Sequence, residues 1–306
     1  MSAAFELYRE GGRVGARYAF GKVVAAFLFF FLLINIFSLL GLGLYLLATD
    51  TTFDEIVGLF DCGPDAPALG VVAGVLFMTV FGLVWLIPGV WLMQRLLHRR
   101  AFAPVLGVEQ RFNPRAALSA GLATMVVAGI GVAAAAATGL VALDLREAPP
   151  GWALYAAPIA LLIPFQAAAE EIVFRGYMLQ TLAARYRSPL IWAGFPAALF
   201  ALMHAFGDPC GGDQTPYVFA TFVFALFATA LVWRIGGLSA AIGVHAANNI
   251  VALLLFNAPF GVGGLGLVTV TPAPGTIWAS ILLDCLTFVA LYFVILRIVR
   301  PEGAAR

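Results

Sequence analysis

Apolar stretches long enough to cross a bilayer recur along the whole chain, at 23–47, 69–97, 116–142, 152–184, 189–206, 217–234, 237–256 and 276–299. A helix needs about 20 apolar residues to cross ~30 Å of hydrocarbon. Helix breakers lie between the stretches: Pro64 and Pro67, Pro104, Pro149 with Pro150, Pro189, Pro209, Gly236 with Gly237, and Pro272 with Pro274. Of the 306 residues 62% are hydrophobic and 11% are charged, where a soluble domain would carry about 25% charged residues. The surface must therefore face lipid. The expected fold is all-α, a polytopic transmembrane helical bundle of about eight spans. It forms one membrane domain over residues 1–306, with its most informative core at about 150–256. The fourth stretch is longer than a bilayer requires, so it tilts or projects into the cytoplasm.

Arg9, Arg13, Arg17 and Lys22 precede the first apolar run, as in a signal peptide. That run is too long for a signal h-region and reads as the first span. With the N-terminus inside, Arg95, Arg99, Arg100, Arg111 and Arg115 also fall in the cytoplasm, and Arg146 is the one basic residue outside. The first outer loop instead collects Asp50, Asp54, Glu55, Asp61 and Asp65. This asymmetry places both termini in the cytoplasm. Arginine far outnumbers lysine, and alanine and glycine abound; this reads as a GC-rich bacterial genome and hence a multi-pass protein of the cell inner membrane. The net charge of +1 offers no basic face to neutralise phosphates, which excludes a nucleic-acid partner. The oligomeric state has no signature in the sequence.

Charge within a bilayer costs roughly 2.5–3.5 kcal/mol per group on insertion scales, so ionisable residues inside the spans mark function first. Three groups stand out. Glu170 and Glu171 open EEIVFR in the fourth stretch. Glu171 and Arg175 are four apart on one face, with the acid N-terminal, and pair favourably. Glu170 points ~100° away, lacks that partner, and is suited to act as a base. The plain alternative is that this group marks a solvated helix end. Phe200 and His204 of FALMH share a face in the fifth stretch, where a lone histidine is more often a packing residue. His245 and Asn249 of HAANN project together in the seventh; the plain alternative is hydrogen bonding between helices. The remaining histidine, His98, falls in a basic cytoplasmic loop.

A base, two imidazoles and an amide on three helices can activate water and stabilise an oxyanion. Glu170, His204 and His245 could also bind zinc with an open fourth position, and spacing does not decide between the two. HExxH, GxSxG and CxxC are all absent, which leaves a one-helix zincin site, a hydrolase serine and thioredoxin-like chemistry unsupported.

The ordered set EEIVFR, FALMH and HAANN resembles the EExxxR, FxxxH and HxxxN pattern of the CAAX protease and bacteriocin-processing family. That family, also called Abi or CPBP, includes the type II CAAX prenyl endopeptidases. The resemblance covers roughly residues 150–256. It implies a glutamate-dependent intramembrane endopeptidase acting on a membrane-associated substrate. Glu170 would activate water with His204, His245 and Asn249 would stabilise the oxyanion, and Glu171 and Arg175 would support them. The family is often classed with the metalloproteases; zinc is possible here but not required by the glutamate mechanism. Members act in bacteriocin maturation, immunity or surface display. Two other classes remain open: a transporter whose polar groups line a path, and a silent immunity or scaffold protein of the same fold.

Cys62 and Cys210 both fall in loops expected outside, each flanked by Gly and acidic residues, and are candidates for a disulfide. Cys285, inside the eighth stretch, is expected to stay reduced.

Overall fold

The computed structural model describes residues 3–13, 18–59, 68–206, 213–257 and 265–303. Cys62 and Cys210 lie outside the described residues; Cys285 is a free thiol. The molecule is essentially all helical, and among the described residues six helices are long and apolar enough to cross a membrane. They are α2 (Ala19–Ala48), the α4–α5 pair (Leu69–Val84 and Leu86–Leu96), α6 (Pro114–Ala137), the run Trp152–Ala183, α10 (Thr215–Ile235) and α12 (Ile277–Ile298). This makes the chain a multi-pass membrane protein. The other two stretches of the sequence pattern, Leu190–Met203 and Ser239–Leu255, are apolar helices of 14 and 17 residues. At 1.5 Å per residue they reach ~21 and ~26 Å, less than the hydrocarbon thickness. The second of them carries His245 and Asn249, and His204 directly follows the first.

Elements outside the spans are set by local chemistry. Asn113 caps α6: its side chain accepts from the Ala116 N–H at 3.1 Å, and Pro114 occupies the first helical position. Thr52 and Glu55 form a reciprocal capping box at the start of α3 (Phe53–Gly58). The third stretch is shorter as a helix than its hydropathy suggests. It ends at Ala137, and Val141 opens strand β1 (Val141–Leu145). β1 pairs antiparallel with β3 (Val268–Pro272), Val141 opposite Pro272. β2 (Phe256–Asn257) adds in parallel to the other edge of β3. This small sheet closes one end of the bundle.

The other end is closed by α1 (Ala3–Glu10), whose Phe5 and Tyr8 are fully buried. The Tyr8 hydroxyl lies 2.9 Å from the Arg175 carbonyl and 3.0 Å from that of Val105. The Arg100 guanidinium donates to Thr181 Oγ1 at 3.0 Å, to the Gly11 carbonyl at 3.2 Å and to Gln94. His98 is not the solvated loop residue that its basic neighbours imply. It is buried, with Nε2 2.8 Å from the Tyr177 hydroxyl. The loop folds inward because these side chains find partners there.

The chain past α12 returns to the same end. The Glu302 carboxylate packs on Gly107 and Gly237 and accepts from the Glu109 N–H at 3.0 Å. Burial pushes its carboxyl up to about 7, with the Glu109 carboxylate adding to the rise, against the backbone donors and Arg111. A carboxyl raised in the folded state stabilises the fold while protonated, and that stability is lost as pH rises through the folded value. The melting temperature of the solubilised protein should therefore decline between about pH 4.5 and 7, and Glu302→Gln should flatten this part of the profile. An unchanged slope in the variant would exclude Glu302 as its source.

Candidate active site

Glu170 and Glu171 end α7 (Trp152–Glu171), and a π-helical turn, Ile172–Met178, follows at once before α8 (Leu179–Ala183). Another π turn, Val251–Leu255, follows α11 (Ser239–Ile250) two residues after Asn249, and a third, Leu190–Gly194, opens the short helix that ends at Met203. Such turns concentrate at functional sites because they re-aim the side chains around them. His204 ends α9 (Phe195–Met203) as its C-cap.

α11 is held against α6 by a contact that only small residues permit. A Cβ on Gly243 would run into the Ala117 backbone, and one on Gly121 would lie 3.1 Å from the Gly243 carbonyl oxygen. Close backbone approach of this kind is how helices pack tightly in lipid. It fixes the position of His245, two residues on.

The ion pair expected from the sequence is present: Arg175 Nη1 donates to Glu171 Oε1 at 2.9 Å, and both side chains are buried. The guanidinium also lies over the Phe200 ring, 4.4 Å from its centroid. The same Glu171 oxygen is 2.8 Å from His245 Nδ1, while His245 Nε2 is 3.3 Å from Glu170 Oε2. His245 thus bridges the two carboxylates. Its ring is held edge-to-face by Phe200 and Phe224, with centroids 5.9 and 5.1 Å away.

Asn249 does not reach Glu170 directly. Its Nδ2 donates to Gln166 Oε1 at 2.9 Å, and Gln166 Nε2 donates to Glu170 Oε2 at 2.8 Å. Gln166 is the residue that sequence reasoning missed. Its signal was available: a buried amide four residues before Glu170, on the same face of an apolar helix. His204 turns Nδ1 to the Phe200 carbonyl at 2.8 Å. That leaves Nε2 for chemistry.

Two cavities meet at these residues. The smaller is lined by Glu170 and His204 together with Phe174, Phe200 and Met203. The larger, about 280 Å³, is lined by His204, His245, Asn249 and Tyr217, and by α6, α12 and the sheet. His204 belongs to both. Glu170 and His204 thus line one cavity, and His204, His245 and Asn249 the other. The candidate zinc set fits less well. Both ring nitrogens of His245 face carboxylates, and among the described residues no three His, Cys, Asp or Glu side chains are gathered as a metal site.

Residues 151–251 match the family model "Type II CAAX prenyl endopeptidase Rce1-like". "Uncharacterized protein YyaK" of Bacillus subtilis (strain 168) is 28% identical over 200 residues, 60% of this chain and 63% of that relative. The match thus spans less than two thirds of the relative's length. No solved structure matches the chain. The segment that brings the two glutamates, two histidines and Asn249 together is similar to the Rce1-like type II CAAX prenyl endopeptidases, the family to which the three motifs point.

Proposed function

We propose that the protein is an intramembrane endopeptidase that hydrolyses a peptide bond of a membrane-associated substrate. The observation that carries this reading is His245, suspended between Glu170 at 3.3 Å and Glu171 at 2.8 Å beside a cavity open to a substrate. Glu170 accepts a proton from water, assisted by His204, and the water oxygen attacks the scissile carbonyl. The oxyanion is stabilised by the Asn249 N–H that Gln166 does not occupy, and by His245 Nε2–H, which Glu170 no longer accepts once it has taken the proton from water. Glu170 then returns its proton to the leaving amine. Glu171 and Arg175 orient His245. The bundle forms one domain in the bacterial inner membrane with both termini in the cytoplasm. Six long helices cross it, and the two short ones, Leu190–Met203 and Ser239–Leu255, complete eight passes within the bundle, where protein rather than lipid surrounds their ends.

The test is cleavage of candidate membrane-anchored peptides in proteoliposomes by wild type and Glu170→Ala side by side. Cleavage by wild type alone is expected. Solute flux without cleavage would favour a transporter, and neither activity would leave a scaffold or immunity protein. The metal is tested separately. Among the described residues no metal-binding set is gathered, and a strong chelator is expected to change turnover by less than about twofold. Abolition by the chelator with recovery on added zinc would assign a required metal.

A further inference from the structure

The larger cavity holds an acidic group that the proposed reaction does not use. Asp284 lies in α12, seven residues past Ile277 and so ~10 Å along the axis from the sheet end. The helix has two distinct faces. Trp278, Leu282, Leu286, Val289 and Phe293 are at least half exposed, as lipid-facing residues are. Ile281, Asp284, Thr287, Phe288 and Leu291 line the cavity, at the spacing of the opposite face, and Asp284 is exposed there rather than packed away. Asp284 therefore shares a chamber with His204, His245 and Asn249.

It is the one carboxylate among the lining residues, and among the described residues nothing donates to it. Hydroxyls stand nearby, but they are committed to their own helices. Thr287 Oγ1 donates to the Asp284 carbonyl at 2.7 Å, Ser280 to Thr276 at 3.2 Å, Thr124 to Ala120 at 2.8 Å and Thr221 to Tyr217 at 2.9 Å. No Lys or Arg lines the cavity. A carboxylate kept at membrane depth without a partner is costly unless a partner arrives with a ligand.

Resting on the endopeptidase reading, we propose that Asp284 is a specificity residue that binds a basic side chain of the substrate, an ammonium or guanidinium near the scissile bond. The pair forms only when substrate fills the cavity. A charge pair desolvated on binding is worth far more than one in water, and loss of one member weakens binding by well over tenfold. An extended peptide advances about 3.4 Å per residue, so the basic residue lies within a few positions of the bond cut. Selection by one fixed charge also rejects acidic peptides.

The experiment uses the full chain in proteoliposomes and a set of membrane-anchored peptides. Each carries Lys, Gln or Glu at one position near the cleavage site, and products are identified by mass spectrometry. Wild type should cleave the best Lys peptide with kcat/KM at least about tenfold above its Gln counterpart. Asp284→Asn should bring that ratio to about one, Asp284→Glu should retain the preference, and Asp284→Lys should favour the Glu peptide. Absence of a preference in wild type, or an undiminished one in Asp284→Asn, overturns the proposal. If Asp284→Lys does not fold, the Asn and Glu variants decide. If wild type cleaves nothing, the peptidase reading fails, and binding of labelled Lys and Gln peptides then decides the site. Tighter Lys binding that Asp284→Asn abolishes supports it, and equal binding refutes it.

Discussion

Glu170→Gln should lower turnover at least ~100-fold while the protein folds and melts as before. The substitution keeps the shape of the side chain and removes the proton acceptor. The neighbourhood can absorb it. Gln166 Nε2 donates to Oε2, and an amide oxygen accepts that bond as a carboxylate oxygen does. Loss of rate with an unchanged melting temperature thus isolates chemistry from architecture. Single-turnover cleavage of a membrane-anchored reporter measures it. Full activity in this variant would move the base to another residue, His204 first.

The second large effect is on folding. Arg175→Ala removes the guanidinium paired with Glu171 and leaves a fully buried carboxylate with His245 alone beside it. Breaking a buried pair from one side costs ~3–5 kcal/mol, a large part of the 5–15 kcal/mol typical of a folded domain. The yield of monodisperse solubilised protein should fall sharply, with a lower melting temperature in whatever remains. The hydrogen bond from Tyr8 reaches the Arg175 backbone carbonyl, so truncating the side chain spares that link and the effect reports the guanidinium. Arg175→Ala combined with Glu171→Gln should recover part of the loss, because the stranded charge is gone. Normal yield and melting for Arg175→Ala alone would mean that His245 neutralises Glu171 by itself.

The helical stretches were legible because twenty apolar residues in a row have few other uses, and the polar motifs stood out against them. Which stretches would be short was less legible. Leu190–Met203 and Ser239–Leu255 are as apolar as true spans and stop early for tertiary reasons: His204 caps one, and the chain leaves the other for β2. The sheet was missed because Val141–Leu145 continues an apolar run, and hydropathy cannot register a change from helix to strand inside it. Gln166 was missed because an uncharged amide does not contrast with its surroundings as a glutamate does. The burial of His98 and Arg100 could not be read at all. Their partners, Tyr177, Thr181 and Gly11, are distant in sequence and carry no charge that would announce them.

The pairings of Glu170 and Glu171 also bear on how the chain is made. Gln166 and Arg175 each stand four residues from the glutamate they serve, one before the pair and one after, on the same helix run. His245 follows Glu171 by 74 residues, so this helix leaves the ribosome and meets lipid well before its imidazole partner is synthesised. Each glutamate already has a partner on its own helix at that moment. The helix can wait in the bilayer as a finished, nearly neutral unit, and α11 on arrival docks against carboxylates that are already held.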